Sequence, residues 1–125
     1  HGAGETVLIV EDEPAIVEIA RSILEELNYK IITAASPDEA KTASSSYNGV
    51  IDLLTTDIIL PEKNGRELAA EITSSRPDMK VLFMSGYTAD VIARQGIIEE
   101  GISFIQKPFS IKDIALKIKS VLGGN

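Results

Sequence analysis

Five polar residues stand at the ends of short apolar segments, and their types suit chemistry at a shared site. They are two adjacent acids, an aspartate, a serine and a lysine: Glu11, Asp12, Asp57, Ser85 and Lys107. Carboxylates that lie close together repel one another unless they take up a proton or a cation. A carboxylate is also a competent covalent nucleophile. If the fold brings these residues together, they predict metal-assisted transfer of a phosphoryl group to a carboxylate.

A hard divalent cation would relieve the repulsion between these carboxylates. Mg²⁺ prefers oxygen ligands and keeps several waters, and Mn²⁺ could substitute for it. We predict Asp12 and Asp57 as direct ligands and the backbone carbonyl of Ile59 as a third ligand. Glu11 would act through a water molecule. The sequence therefore predicts a magnesium site built around Asp57.

Asp57 is the predicted phosphoacceptor, and two residues would assist it. Lys107 would pair with Asp57 or with a phosphoryl oxygen as a compact positive charge. The hydroxyl of Ser85 would donate to another phosphoryl oxygen once phosphate is present. Together they would supply the positioning and charge neutralisation that phosphoryl transfer chiefly needs.

Each of these residues alone has an ordinary structural explanation. Glu11 and Asp12 could cap a helix and favour its positive end. Asp57 and Ser85 could be turn residues, and Lys107 could be a solvated surface lysine. The shared site is favoured because these residues end four different predicted strands.

Five predicted strands position the site, and helices alternate with them. The strands are predicted over residues 5–10, 30–35, 50–56, 80–84 and 102–106, with helices that begin near residues 14, 36, 66, 89 and 110. Because the strands are continuous apolar runs, they are typical of a parallel sheet covered by helices on both faces. Parallel strands end at one edge of such a sheet, where ligands bind. The predicted fold class is therefore α/β, a single doubly wound domain.

Capping residues mark several helix boundaries. Ser36 is predicted as an N-cap, with Glu39 reaching back to it in a capping box. Ser110 is the predicted N-cap of the last helix, and Asn28 the terminator of the first. These signals predict that the helices begin and end close to the sheet edges.

Composition limits the domain count and the classes of function. At 125 residues the chain is predicted to form one domain over residues 5–122, after a cloning scar or linker at 1–4 and before a tail at 123–125. The net charge of −7 argues against direct binding to nucleic acid or anionic membranes. With no cysteine and no apolar run long enough to span a bilayer, we expect a soluble, cytoplasmic protein. The only histidine is His1, so a phosphohistidine donor would belong to a partner.

The segments that carry these residues resemble the receiver domains of two-component response regulators. They are VLIVEDE at 7–13, DIILP at 57–61 followed by Gly65, MSGY at 84–87 and FIQKPF at 104–109. The resemblance implies a flavodoxin-like sheet in the order 2-1-3-4-5. It also implies that a sensor histidine kinase or a histidine phosphotransfer domain phosphorylates Asp57 with Mg²⁺. It implies a signalling domain and not an enzyme, with catalysis limited to its own phosphorylation and slow dephosphorylation.

The resemblance further implies a conformational switch. Ser85 would move toward the phosphate, and the aromatic side chain of Phe104 would change rotamer. This would alter the surface formed by the predicted fourth helix, fifth strand and fifth helix. Phe104 stands where tyrosine is more common in the family, so its coupling to that surface would lack a hydroxyl hydrogen bond.

One stretch resembles a particular class of receiver. Residues 83–88, followed by Gly96 and Gly101, are similar to receivers attached to hybrid sensor histidine kinases. The glycines at positions 2 and 4 fit a segment taken from a longer protein. We therefore expect the chain to be a receiver segment of a larger hybrid kinase.

Three alternative functions fit the sequence less well. An aspartate-nucleophile phosphatase of the haloacid dehalogenase type usually has a second Asp two residues after the nucleophile, where this chain has Ile59. A flavodoxin-like cofactor binder would need a glycine-rich phosphate loop after the first strand, where three acids stand at 11–13. A binding module with a dead site would lack a key residue, and none is missing.

Overall fold

The computed structural model describes residues 4–57, 65–85, 104–106 and 110–122. Within these ranges strands and helices alternate along the chain. The strands are β1 (Thr6–Val10), β2 (Lys30–Ala34), β3 (Leu53–Asp57), β4 (Lys80–Ser85) and β5 (Phe104–Gln106), and the helices are α1 (Pro14–Glu26), α2 (Pro37–Ser46), α3 (Gly65–Ser75) and α4 (Ile111–Leu122). Helix α4 is the predicted fifth helix, because the fourth predicted helix, near residues 89–95, lies outside the described residues.

The strands form one parallel sheet in the order β2-β1-β3-β4-β5. This confirms the predicted α/β class and the strand order that the resemblance implied. Val10 of β1 lies opposite Thr56 of β3, and Asp57 lies opposite Met84 of β4. The C-terminal ends of β1 and β3 therefore lie side by side, at the edge where the site was predicted.

Helices cover both faces of the sheet, and the side chains of β1 alternate between them. Leu8 and Val10 pack with residues of α2 and α3, whereas Val7 and Ile9 pack with residues of α1 and α4. All five residues of β1 are buried. A strand buried on both faces has no polar alternation, which explains its continuous apolar sequence.

Strand β3 begins at Leu53 and not at Val50, so the predicted start of this strand is wrong. Val50 is 69% exposed. Just before the strand, Asp52 accepts a hydrogen bond from the backbone N of Thr6 through Oδ2 at 2.8 Å. The Asp52 carboxylate thus accepts a hydrogen bond from β1 just before the first residue of β3. The apolar sequence pattern did not indicate this contact.

The helix ends follow the predicted caps with one difference. Ser36 Oγ accepts from the backbone N of Glu39 at 3.2 Å, as predicted, but Glu39 Oε1 accepts from the backbone N of Ala35 at 3.4 Å, and not from Ser36. Asn28 ends α1 with a positive φ of 75°, the left-handed conformation that Asn tolerates. Ser110 Oγ accepts from the backbone N of Asp113 at 3.0 Å, which confirms the predicted N-cap of α4.

Arg76 connects the end of α3 to the loop between α2 and β3. Its guanidinium donates to Ser44 Oγ at 3.0 Å and to the backbone carbonyls of Ser44, Tyr47 and Gly49 at 2.8, 2.9 and 3.0 Å. In the same loop a Cβ on Gly49 would lie 2.9 Å from the Tyr47 ring, so a larger residue there would require the ring to shift. These contacts lie at the N-terminal edge of the sheet, opposite the predicted site.

Candidate functional site

Glu11 extends β1 by one backbone hydrogen bond and places its carboxylate at the sheet edge. Its backbone N donates to the carbonyl of Ala34 at 3.0 Å. The residue is only 1% exposed. Its Oε2 accepts from the backbone N of Glu13 at 3.2 Å, at the start of α1. Glu11 is therefore a buried acid that its neighbours orient.

Three carboxylates come together at this edge. Asp12 is exposed in the turn before α1, and Asp57 is partly buried at the last position of β3. One oxygen each of Glu11, Asp12 and Asp57 lies within 4.8 Å of the others. The structure thus brings together three of the residues that were predicted from the sequence to form the site.

The three acids have the chemistry and spacing for a hard divalent cation. In an octahedral Mg²⁺ site with ligand distances near 2.1 Å, opposite oxygens lie about 4.2 Å apart. Oxygens within 4.8 Å of one another can approach that spacing through small side-chain rotations. Like charges at such separation repel, and the burial of Glu11 strengthens the repulsion. The donor set therefore fits a cation such as Mg²⁺.

Helix capping does not explain Asp12. The N-cap residue of α1 is Glu13, whose side chain makes no capping hydrogen bond, and no acid stands in the first helical turn. Pro14 occupies the first helical position, as the sequence predicted. Of the two acids, only Glu11 bonds to the start of the helix, through the backbone N of Glu13. No capping hydrogen bond in the described part of the chain therefore accounts for Asp12.

Two threonines precede Asp57, and the sequence pattern indicated no role for either of them. Thr56 is fully buried, and its Oγ1 donates to the backbone carbonyl of Asp57 at 3.0 Å. Thr55 is 1% exposed, and its Oγ1 has no hydrogen-bond partner in the described part of the chain. Thr55 lies opposite Ile9 and Leu82, both in the core between the sheet and α1 and α4. The only sequence signal was a pair of hydroxyls inside an otherwise apolar strand.

The remaining predicted site residues are described in part or not at all. Ile59 and Lys107 lie outside the described residues. Ser85 and Phe104 are described as backbone only: Ser85 ends β4, and Phe104 pairs with Phe83. Since Asp57 lies opposite Met84, the backbone of Ser85 stands one residue beyond that of Asp57 on the neighbouring strand.

Two cavities lie at opposite edges of the sheet. One, of about 220 Å³, includes Glu11 and Asp12 in its lining and continues between α1 and the start of α2. The other, of about 390 Å³, lies beside Arg76 and Asp52, at the edge away from the three carboxylates. Of these two cavities in the described part of the chain, the smaller one adjoins the candidate site.

No helix among the described residues is long and apolar enough to cross a membrane.

A scan against protein families matches residues 7–119 to a model described as "Response regulator receiver domain". Among curated relatives, the sensor kinase CckA of Brucella abortus (strain 2308) is 36% identical over 117 residues, which is 94% of this chain and 12% of that protein. The response regulator SaeR of Staphylococcus aureus is 29% identical over 93% of this chain and 50% of that protein. This chain therefore spans half or less of these relatives.

Solved structures of similar chains share the whole fold. The receiver domain of the hybrid histidine kinase CckA is 32% identical with a TM-score of 0.78, covering 94% of this chain and 98% of that one. A CheY-like receiver domain protein from Methanospirillum hungatei JF-1 is 29% identical with a TM-score of 0.80, covering 98% and 96% of the two chains. The similarity extends over the strand ends that carry the three carboxylates.

Proposed function

This chain belongs to the response regulator receiver domains, the phosphoacceptor signalling switches of two-component systems, and on that premise we propose that Asp57 is its phosphoacceptor. The observation that carries the proposal is the group of three carboxylates within 4.8 Å, with Asp57 at the end of a central strand. A receiver domain is a signalling domain and not a classical enzyme.

Receiver domains typically bind Mg²⁺ at an acidic cluster, and this chain has such a cluster. We propose that Asp12 and Asp57 bind the ion directly, that the Ile59 carbonyl is a third ligand and that Glu11 acts through water. When bound, the ion supplies positive charge against the phosphoryl oxygens. The orientation of Glu11 supports this role, because the hydrogen bond from the backbone N of Glu13 to its Oε2 holds its carboxylate beside those of Asp12 and Asp57.

In the proposed reaction a carboxylate oxygen of Asp57 attacks the phosphorus atom of a phosphohistidine. A new oxygen–phosphorus bond forms, the phosphorus–nitrogen bond breaks, and the imidazole of the donor leaves. Thr56 supports this step because its hydrogen bond to the Asp57 carbonyl holds the end of β3. Lys107 is proposed to pair with the phosphoryl group, and Ser85 to donate to it. Slow hydrolysis of the acyl phosphate would reset the domain.

The proposed donor is a sensor histidine kinase or a histidine phosphotransfer domain. The similarity to the CckA receiver supports a place within a larger hybrid kinase. A cytoplasmic location fits this role. The net charge of −7 supports a protein partner over direct contact with nucleic acid or anionic lipid.

The proposed output is a change at the surface formed by the predicted fourth helix, near residues 89–95, together with β5 and α4. Ser85 and Phe104 would be the switch residues. Their backbones support this arrangement, because Ser85 lies opposite Gln106 and Phe104 lies opposite Phe83 on adjacent strands. A shift at the phosphorylated edge could thus pass directly into β5.

Mass spectrometry after incubation with acetyl phosphate and Mg²⁺ tests the assignment. We expect one phosphoryl group on the peptide that contains Asp57, and none when EDTA is present or in Asp57→Asn. The matched control is Asp38→Asn, which removes an exposed carboxylate on α2 and should leave the labelling unchanged. Phosphorylation at another residue would refute Asp57 as the acceptor.

The class of donor is tested by phosphotransfer profiling. Purified autophosphorylated histidine kinases are mixed with this chain, and the loss of kinase label is followed with time. We expect one or a few kinases to transfer much faster than the rest. Labelling by acetyl phosphate with no transfer from any kinase would contradict the proposed donor class.

A further inference from the structure

The smaller cavity combines an apolar interior with an acidic rim. Its volume is about 220 Å³, and it lies between α1 and the β2–α2 connection. Val17 and Ala34 contribute apolar walls, and Glu18 and Glu39 stand on opposite sides, one from α1 and one from α2. We call this cavity the α1–α2 pocket.

The rim carboxylates are available for a ligand. Glu18 and Glu39 are both exposed. None of the ion pairs among the described residues involves either of them, and no Lys or Arg lines the pocket. The side chain of Glu39 accepts one hydrogen bond among the described residues, a long one of 3.4 Å from the backbone N of Ala35. The two rim carboxylates, which share the lining with Glu11 and Asp12, are therefore not balanced by any Lys or Arg of the pocket.

We propose that the α1–α2 pocket receives the side chain of a lysine or arginine from the protein that donates the phosphoryl group. Such side chains have an aliphatic stem that packs on apolar walls and a cationic head that stays at the rim. Glu18 and Glu39 would pair with the head, and Val17 and Ala34 would contact the stem. This inference rests on the proposed function, because it takes the phosphodonor as the occupant.

The location of the pocket favours a protein donor as the occupant. Glu11 and Asp12 line the pocket and also belong to the three-carboxylate group. A protein that brings a phosphohistidine to Asp57 would approach this sheet edge, and its neighbouring side chains would then lie close to the pocket. Glu18 and Glu39 do not belong to the three-carboxylate group that could hold a metal ion in the described residues.

The chemistry of the pocket is tested with n-butylguanidinium chloride, an analogue of an arginine side chain. Two-dimensional NMR of the metal-free protein should show shifts at the amides of Val17, Glu18, Ala34 and Glu39. The double variant Glu18→Gln/Glu39→Gln should bind the probe between about twofold and thirtyfold more weakly, as expected for two exposed ion pairs. Neutral n-butylurea should give much smaller shifts.

A matched control removes the same charge from the same two helices. Glu26→Gln/Asp38→Asn alters exposed acids of α1 and α2 that do not line the pocket, and it should bind the probe like the wild type. Equal weakening in both double variants would overturn the proposal, since net charge alone would explain it. Complete displacement of the probe by Mg²⁺ would also overturn it, because the probe would then occupy the carboxylate cluster.

The protein occupant is tested with the fastest kinase from phosphotransfer profiling. Glu18→Gln/Glu39→Gln should raise the KM for that kinase between about twofold and thirtyfold with little change in the maximal transfer rate. An unchanged KM would overturn the proposed occupant. The NMR measurement needs no phosphodonor, so a failure of the proposed function would show separately, as absent labelling of the wild type by acetyl phosphate.

Discussion

Thr55 lies in an apolar layer two residues before the proposed phosphoacceptor, and its hydroxyl has no hydrogen-bond partner among the described residues. A buried hydroxyl without a partner costs about 1 to 3 kcal/mol. Its strand neighbours, Ile9 and Leu82, offer only aliphatic side chains. Thr55, which lowers the stability of the fold, and Asp57, the proposed phosphoacceptor, thus lie on the same face of β3.

Replacing Thr55 with valine should stabilise the protein. The substitution keeps the shape of the side chain and removes the unpaired hydroxyl, so the free energy of unfolding should rise by about 1 kcal/mol. Urea denaturation measures this change. The control is Thr56→Val, which loses the hydrogen bond to the Asp57 carbonyl and should lower stability. A less stable Thr55→Val protein would show that the hydroxyl has a favourable role.

Tyr29 makes stability depend on pH in the alkaline range. Burial raises the pKa of its phenol above 10.0, with a further rise from the negative charge of Glu5. Above a pH of about 10 the unfolded chain loses this proton while the folded protein keeps it. The unfolded state then binds fewer protons, so the free energy of unfolding falls as pH rises. Below that pH the phenol is neutral in both states, so it does not make the free energy of unfolding depend on pH.

The variant Tyr29→Phe should therefore flatten the decline in stability above pH 10. Urea denaturation of the wild type and of the variant at a series of pH values gives the two slopes. Identical slopes would mean that Tyr29 titrates alike in the folded and unfolded states.

At the scale of elements, Arg76 holds the α2–β3 loop against the end of α3. Arg76→Ala removes four hydrogen bonds from the guanidinium and leaves the carbonyls of Ser44 and Tyr47 without these donors. We expect the free energy of unfolding to fall by about 3 kcal/mol, because hydrogen bonds to a charged group contribute more to stability than hydrogen bonds between neutral groups. Thermal and urea unfolding measure it.

Two further arginine variants sharpen this prediction. Arg76→Lys should recover only part of the loss, because an ammonium lacks the planar fork that reaches several carbonyls. Arg21→Ala removes an exposed ion pair with Glu25 within α1 and should change stability by less than about 0.5 kcal/mol. Comparable losses in Arg76→Ala and Arg21→Ala would contradict a role for Arg76 in fixing the loop.

The strands and helices could be predicted because their signals are local. Continuous apolar runs indicated buried parallel strands, and Ser36, Asn28 and Ser110 marked helix ends in their own neighbourhoods. The contacts of Arg76 could not be predicted in this way, because they join it to residues 27 to 32 positions earlier in the chain.

The candidate site was predictable to a similar extent. Parallel strands end at one edge, so the topology alone brought Glu11, Asp12 and Asp57 together. The burial of Glu11 and the unpaired hydroxyl of Thr55 depend on how neighbouring elements pack, which residue order does not reveal. The α1–α2 pocket likewise depends on how α1 packs beside the β2–α2 connection.

For the whole molecule, negative charge acts at two ranges. The net charge of −7 means that acidic side chains across the surface repel one another, and ordinary salt screens that repulsion. The three carboxylates repel at close range, where one of them is buried and salt screens less. A cation that binds the cluster should therefore stabilise the fold beyond the effect of ionic strength.

We predict that Mg²⁺ raises the thermal unfolding midpoint more than NaCl at equal ionic strength. At about ten times its dissociation constant, a ligand that binds only the folded state adds about 1.4 kcal/mol. Asp12→Asn should stabilise the metal-free protein, since it relieves repulsion, and should lose most of the Mg²⁺-specific increase. Asp38→Asn removes an equal charge from the exposed start of α2 and should keep that increase. Equal responses to the two salts in the wild type would contradict metal binding at the cluster, because screening alone would then account for the stabilisation.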